Sequence, residues 1–482
     1  MNQTLQHWID GKAVSSPATM DVFDPSTGQV IAQCPKGGAA TVEQAVRAAE
    51  RAFPAWSQLP HSERARWLDK LAQALADRVD DFALAECRNG GKPLALARTA
   101  EIPRALQNLR FFAAAATQFA SESHHGEAGL NYTLRSPLGV VGCISPWNLP
   151  LYLFTWKIAP ALAAGNCVVA KPSEVTPLTA SMLGALAAEI GFPHGVLNIV
   201  QGTGHDVGEP LVDHPSVKAI SFTGSTAVGR RIAERCGHAL KKVSLELGGK
   251  NPTLILADAD VDAALPTLVR SLFQNSGQIC LCGARVLIHR SRYDEVRDRL
   301  VAAANDLAVG DPQDPTTRMG PVVSAAHHKK VLACIERARD EGGRVLCGGE
   351  ALYPDGPCAG GWFIAPTLIE GLATPCATLQ EEIFGPVATL QAFDDEAEAL
   401  DLANGTPYGL AASIWTRNLD SGHRLAAGLR CGIVWINTWL MRDLRTPFGG
   451  TGHSGIGREG GFEAMRFFTE PKNVCIHIGV PH

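Results

Sequence analysis

The chain has 482 residues, 46% of them hydrophobic, which provides for a large globular core and excludes a disordered protein. With 43 Lys and Arg against 48 Asp and Glu, the net charge of −5 leaves no basic footprint for nucleic acid, and no apolar run is long enough to cross a bilayer. The 13 cysteines, an odd number and mostly single, suit a reducing compartment, and Met1 to Trp8 lacks a basic, apolar leader, so a cytoplasmic protein is expected.

In chain order, residues 41–53, 62–85 and 102–120 carry apolar side chains at helical spacing, with Ser62 as the cap of the second helix. Residues 124–129 read as a turn, and 131–135 alternate like an edge strand. From Gly139 onward, short apolar strands at 140–144, 166–170, 196–200 and 219–222 alternate with helices near Pro160 and over 179–190. That order predicts a parallel sheet with helices on both faces. A second series follows Lys250, with strands at 253–256 and 284–289, a helix at 293–304 and a closing strand at 432–437. The tail, 474–478, alternates like a further edge strand, and unpaired edges invite assembly. The fold class is α/β, with two lobes meeting near 246–251 and a cleft between Glu246 and Cys280.

Several segments carry chemistry. Gln274-Asn275-Ser276-Gly277-Gln278-Ile279 is a polar turn leading into Cys280, and Val243-Ser244-Leu245 leads to Glu246 beside Gly248 and Gly249. A thiol nucleophile and a carboxylate able to activate water are the minimum for making and breaking a thioester. Phe222-Thr223-Gly224-Ser225 sits at a strand-to-helix junction whose free amides suit a phosphate, although ordinary close packing also uses small residues there and the spacing is not GxGxxG. Lys171 and Glu174 end a strand and suit an adenosine ribose; Glu174 would repel a 2′-phosphate, favouring NAD over NADP, while a plain solvated turn is the alternative. Asn148, in a loop stiffened by Pro146 and Pro150, can aim its amide at an oxyanion or satisfy backbone. Glu382 can hold a second ribose and Phe384 can pack on a flat ring, or the acids form a solvated face. Cys280 and Cys282 lack a partner pair at metal-ligand spacing, so no metal is expected.

Together these segments resemble the aldehyde dehydrogenase superfamily over nearly the whole chain. The resemblance implies Cys280 as nucleophile, Glu246 as general base, and Asn148 with the Cys280 N–H as oxyanion hole. It implies NAD held by Ile144, Trp147, Lys171, Glu174, Gly204, Gly208, Gly224, Ser225, Glu382 and Phe384, and a proton-releasing role for Glu459. It also implies two Rossmann-like lobes with a small β oligomerisation arm: NAD-binding at 1–122 and 140–248, catalytic at 249–453, and the arm at 123–139 and 464–482, in a homodimer or homotetramer. Arg104 and Arg442 flank the expected substrate tunnel, where a guanidinium is costly unless a carboxylate meets it; the alternative is surface pairing with Glu101 or Asp443. Local similarity around both arginines resembles the 2-aminomuconic (and 2-hydroxymuconic) semialdehyde dehydrogenase branch. The expected reaction is NAD-dependent oxidation of 2-aminomuconate 6-semialdehyde, with the 2-hydroxy analogue, or a broad, betaine-type or retinal activity, as alternatives.

Overall fold

The computed structural model describes residues 3–127 and 129–478; the extremities of the expected first lobe and arm, 1–2 and 479–482, and residue 128 lie outside the described residues. The runs Val140–Ile144 and Cys167–Lys171 are buried at every position, as strands covered on both faces must be. They occupy the middle of an eight-stranded sheet ordered Gly455–Ile456, Lys242–Glu246, Val217–Thr223, Val140–Ile144, Cys167–Lys171, Leu197–Ile199, His7–Ile9 and Lys12–Val14. The strands from Lys242–Glu246 through Leu197–Ile199 are parallel. From Val140–Ile144 the chain builds outward through Cys167–Lys171, then returns to add Val217–Thr223 on the opposite side. Such a reversal opens a crevice at the carboxyl ends of the strands, where ligands of open α/β sheets bind. Ile144, Lys171, Thr223 and Glu246 are the last residues of their strands at that edge.

A second sheet runs Arg344–Cys347, Thr367–Glu370, Val387–Phe393, Arg285–His289, Pro252–Ile255, Ala411–Trp415 and Ile433–Ile436, parallel except for the first. Alternation along Arg285–His289 divides its core: Val286 and Ile288 pack on one face, Leu287 on the other. The loop after Val261–Phe273, the loop before Val387–Phe393 and the loop after Ile433–Ile436 bring this lobe's residues to the crevice.

Several local expectations are corrected. The segment 62–85 is two helices, His61–Ala76 and Val79–Gly90, because Arg78 leaves helical geometry at φ −129°. The first of them starts directly after Pro60, so Ser62 lies inside its first turn and caps nothing. The segment 124–129 is mostly strand: Ser123–Gly126 pairs with Gly129–Pro137, which also pairs with Thr469–His477. Residues 131–135 are therefore in the central strand of a three-stranded antiparallel sheet, and its edges are Ser123–Gly126 and Thr469–His477. A small sheet of Gln3–Thr4, Gln29–Pro35 and Thr19–Asp24 was not anticipated. Among the described residues no helix is long and apolar enough to cross a membrane.

Candidate active site

Cys280 follows a turn of unusual backbone. Asn275, Ser276 and Gly277 have φ of 52°, 56° and 70°, three successive residues in the left-handed region. Only glycine adopts this region freely, and each non-glycine residue there costs on the order of 1 kcal/mol or more. Side chains hold the turn in place. Ser276 Oγ donates to Gly320 O at 2.8 Å, Gln278 Nε2 donates to Asn275 O at 3.0 Å, and Gln278 Oε1 accepts from Val323 N at 2.9 Å. At Gly277 a Cβ would lie 2.0 Å from the Gly385 carbonyl oxygen, so the glycine is needed for space as well as for φ. Downstream, Asn251 Nδ2 donates to Cys280 O at 2.7 Å and Trp439 Nε1 donates to Leu281 O at 2.9 Å. The sulfur is thus carried on a segment fixed from both sides.

Two cavities meet at Cys280. One is lined by Cys280, Glu246, Glu459, Glu101, Arg104, Tyr152 and Arg442. The other is lined by Cys280, Asn148, Trp147, Gly224, Ser225, Gly248, Glu382, Phe384 and His327. Asn148 is buried, and its Nδ2 donates to Gln278 O at 2.9 Å, which uses one of its two N–H groups. Burial pushes the Cys280 thiol up; the Glu382 and Glu246 charges add to this, and the Arg442 cation opposes it.

Glu246 is 3% exposed, and neither carboxyl oxygen has a hydrogen-bond partner. Burial, then the neighbouring Glu459 charge, hold it well above the ordinary carboxylate range, against the Lys157, Arg442 and Arg458 cations. Glu459 Oε1 accepts from Lys157 Nζ at 2.7 Å and Ser221 Oγ at 2.9 Å, leaving Oε2 without a partner. A carboxylate poised this way has oxygens available for water and a second acid close by to share a proton. Lys157 and Ser221 had no role in the sequence reading; no local pattern marks them, since Lys157 and Glu459 are 302 residues apart.

The second cavity and a neighbouring apolar slot fit a dinucleotide. The slot has apolar walls for a base in Ile144, Gly204, Gly208, Val212, Phe222 and Ile232, and Glu209, Arg231 and Arg235 also line it. Lys171 Nζ is 2.9 Å from Glu174 Oε2 at the strand end, and a Cβ on Gly208 would lie 3.8 Å from Lys171 Cδ, so this pair borders the slot. Ser225 Oγ accepts from Val228 N at the start of helix Thr226–His238, an amide-rich terminus suited to phosphate. Glu382, pushed up to about 7 by burial, accepts from Gly249 N at 2.9 Å. The Trp147 and Phe384 rings meet edge-on at 5.3 Å, and His327 donates from Nε2 to Phe384 O at 2.7 Å. Burial lowers His327 to about 4, so its ring is neutral there. Among the described residues, no three His, Cys, Asp or Glu side chains are grouped to hold a metal ion, and Cys282 is a packed, free thiol.

The two arginines are brought together. Arg442 NH1 donates to Tyr152 Oη at 2.6 Å, and its guanidinium lies 3.9 Å from the Phe448 ring centroid and 5.0 Å from that of Trp156. Arg104 sits 5.8 Å from the centroid of the same Tyr152 ring. The surface-pairing alternative does not occur: Asp443 binds Arg445 with both oxygens, and Glu101 is buried on Lys92. Neither Arg104 nor Arg442 forms an ion pair among the described residues; Arg104 donates to Gln107 Oε1 at 3.2 Å, and its charge adds only to that of Arg445 in lowering Asp443. Tyr152, which holds one guanidinium and stacks on the other, had no role in the sequence reading; no local pattern marks it, since it and Arg442 are 290 residues apart.

Comparison with known proteins gives one family. The model of the aldehyde dehydrogenase family matches residues 8–474. The chain is 49% identical to 2-aminomuconic semialdehyde dehydrogenase of Danio rerio over 477 residues, covering 98% of each chain. It is 45% identical to 2-hydroxymuconic semialdehyde dehydrogenase of Pseudomonas sp. (strain CF600) over 483 residues, covering 98% of this chain and 99% of that one. Among solved structures, PnpE in complex with nicotinamide adenine dinucleotide is 42% identical at a TM-score of 0.96, covering 100% of this chain and 99% of that one. An NAD+ complex of an aldehyde dehydrogenase from Bacillus cereus is 37% identical, also at 0.96, covering 99% of this chain and 97% of that one. With a two-lobed α/β frame, a cysteine where two cavities meet and a family match over nearly its full length, the chain belongs to the aldehyde dehydrogenase family and is an oxidoreductase.

Proposed function

We propose that this protein is a cytoplasmic, NAD-dependent aldehyde dehydrogenase whose substrate is a semialdehyde carrying a carboxylate at its far end: 2-aminomuconate 6-semialdehyde, oxidised to 2-aminomuconate. The observation that carries this reading is the pair of arginines, neither in an ion pair among the described residues, in the cavity that also holds Cys280. A half-buried guanidinium next to aromatic rings is stabilised when a carboxylate accepts its hydrogen bonds, whereas a plain alkyl or cationic aldehyde offers none. The relatives named for 2-aminomuconic and 2-hydroxymuconic semialdehydes support the same substrate class, and the 2-hydroxy compound is the alternative.

In this reading Cys280 passes its thiol proton to Glu246, its Sγ adds to the aldehyde carbon as the thiolate, and Asn148 turns its second N–H, with the Cys280 backbone N–H, to the developing oxyanion. NAD, when bound, supplies the hydride acceptor. It would be held by Ile144, Trp147, Lys171, Glu174, Gly204, Gly208, Gly224, Ser225, Glu382 and Phe384, and the Glu174 carboxylate disfavours a 2′-phosphate. The acyl group remaining on Cys280 is a thioester. Glu246 takes a proton from the water that attacks it, and Glu459 shares that proton on its way out. Arg104 and Arg442 hold the distal carboxylate so that the aldehyde end reaches the sulfur. Assembly as a homodimer or homotetramer through 123–139 and 464–478 is supported by Leu134 and Ile476, exposed apolar side chains on that small sheet. Intact-mass spectrometry of Glu246→Ala mixed with NAD and the semialdehyde tests the chemistry. The expected result is a gain of one acyl group located on Cys280; an unchanged mass, or label on another side chain, refutes it.

A further inference from the structure

Beneath the aldehyde cavity lies a cluster of charges that the chemistry above leaves unused. Lys92 has a fully buried side chain, and its ammonium meets three acceptors: Glu86 Oε2 at 2.9 Å, Glu101 Oε2, and the backbone carbonyl of Asn148 at 3.3 Å. An ammonium has three protons, so each has an acceptor. Glu86 uses its other oxygen to accept from Leu151 N at 2.9 Å and Thr179 Oγ1 at 2.8 Å, which ties it to helix Pro150–Ala163 and helix Leu178–Glu189. Burial opposes the charge on Lys92, but the adjacent Glu101 and Glu86 outweigh it and keep Lys92 protonated.

A cluster this deep is costly to desolvate, and a salt bridge alone gives weak reason to keep it. Its third contact supplies one. The Asn148 carbonyl accepts from Lys92 Nζ on one side and from Asn275 Nδ2, at 3.0 Å, on the other. Asn275 belongs to the left-handed turn that carries Cys280, and Gln278 of that turn accepts from the Asn148 side chain. Asn148 is therefore gripped at its backbone by two buried donors and at its amide by the nucleophile's own loop. These contacts bear directly on the distance between the amide and Cys280, because Asn148 sits in a loop between Ile144 and helix Pro150–Ala163.

We propose that Lys92 is a positioning residue for the oxyanion donor: through the Asn148 carbonyl, with Asn275 as the opposing clamp, it sets where the Asn148 amide stands relative to Cys280. This rests on the reading of Asn148 as that donor. Losing one preorganised oxyanion donor typically slows the acyl-forming step by about 10²–10³-fold, and a misplacement of about 1 Å costs up to about 10²-fold.

The test is a double-mutant cycle on the NADH burst of the full-length enzyme with saturating 2-hydroxymuconate semialdehyde. Lys92→Met should slow the burst at least about tenfold in the wild-type background and by less than about twofold in Asn148→Ala, where no donor remains to be positioned. Asn275→Gly, which relieves a positive φ while removing the second donor, should show the same pattern. Lys92→Met/Glu101→Gln, which keeps the cluster's net charge, takes the place of Lys92→Met if that variant does not fold. Equal slowing in both backgrounds, or an unchanged burst in the wild-type background, overturns the positioning role. An Asn148→Ala enzyme with a normal burst instead overturns the oxyanion reading itself, and with it this inference; that outcome is recognised from the single variant alone.

Discussion

Replacing Arg104 and Arg442 by methionine tests the substrate reading at its base. Methionine keeps most of the stem volume, so Arg442→Met still covers Phe448 and Trp156 while losing the charge and the hydrogen bond to Tyr152. A hydrogen bond between a charged donor and a carboxylate contributes about 1.5–3 kcal/mol, and in this half-buried cavity the lower half of that range applies, about 2 kcal/mol per arginine. With tenfold for each 1.4 kcal/mol, kcat/KM for the carboxylated semialdehyde should fall about 30-fold in each single variant. Because Tyr152 touches both guanidinium groups, the double variant should lose less than the product of the two. Benzaldehyde, which has no carboxylate, is the control. Arg442 is among the cations that lower the Glu246 and Cys280 protonation equilibria, so Arg442→Met should slow benzaldehyde modestly, whereas Arg104→Met should leave it within about twofold. Steady-state NADH formation with both aldehydes measures this. Parallel losses on benzaldehyde and semialdehyde for Arg104→Met refute the carboxylate clamp.

Two further outcomes follow from the geometry. Glu459→Gln removes a negative charge that raises Glu246; the ionised base then forms at lower pH, so the rising limb of the kcat–pH profile should shift to lower pH, and a shift to higher pH or none contradicts the proposed coupling. Gly277→Ala places a methyl group 2.0 Å from the Gly385 carbonyl at φ +70°, which should destabilise the enzyme by about 3 kcal/mol or more and weaken NAD binding through the shifted Glu382–Phe384 loop; a wild-type Tm in scanning fluorimetry contradicts this.

The parallel strands were legible because they are uninterrupted apolar runs: Val140–Ile144 and Cys167–Lys171 differ from their expected limits by at most a residue at each end. Ser123–Gly126 could not be read, since all four residues are exposed and a strand without a buried face carries no alternation. The site was legible where chemistry imposes local composition, as at the turn before Cys280 or the small residues around Gly224. Contacts made across long separations were not. Arg442 and Tyr152 are 290 residues apart, and Lys92 reaches Asn148 across 56. Sequence spacing says nothing of such pairs, so the arginines were expected to flank a tunnel but the tyrosine between them was unseen.

The strand ending at Glu246 is bordered by Gly455–Ile456, which pairs Leu245 with Ile456 and Glu246 with Gly455, and Phe448 and Glu459 bond reciprocally just beyond. Glu246 and the neighbouring Glu459 are thus held by a segment far from Glu246 in the chain. A side chain at Gly455, whose Cβ would lie 2.2 Å from the Leu245 carbonyl oxygen, would push these two strands apart and so shift the Glu246 carboxyl without touching the cavity that it lines.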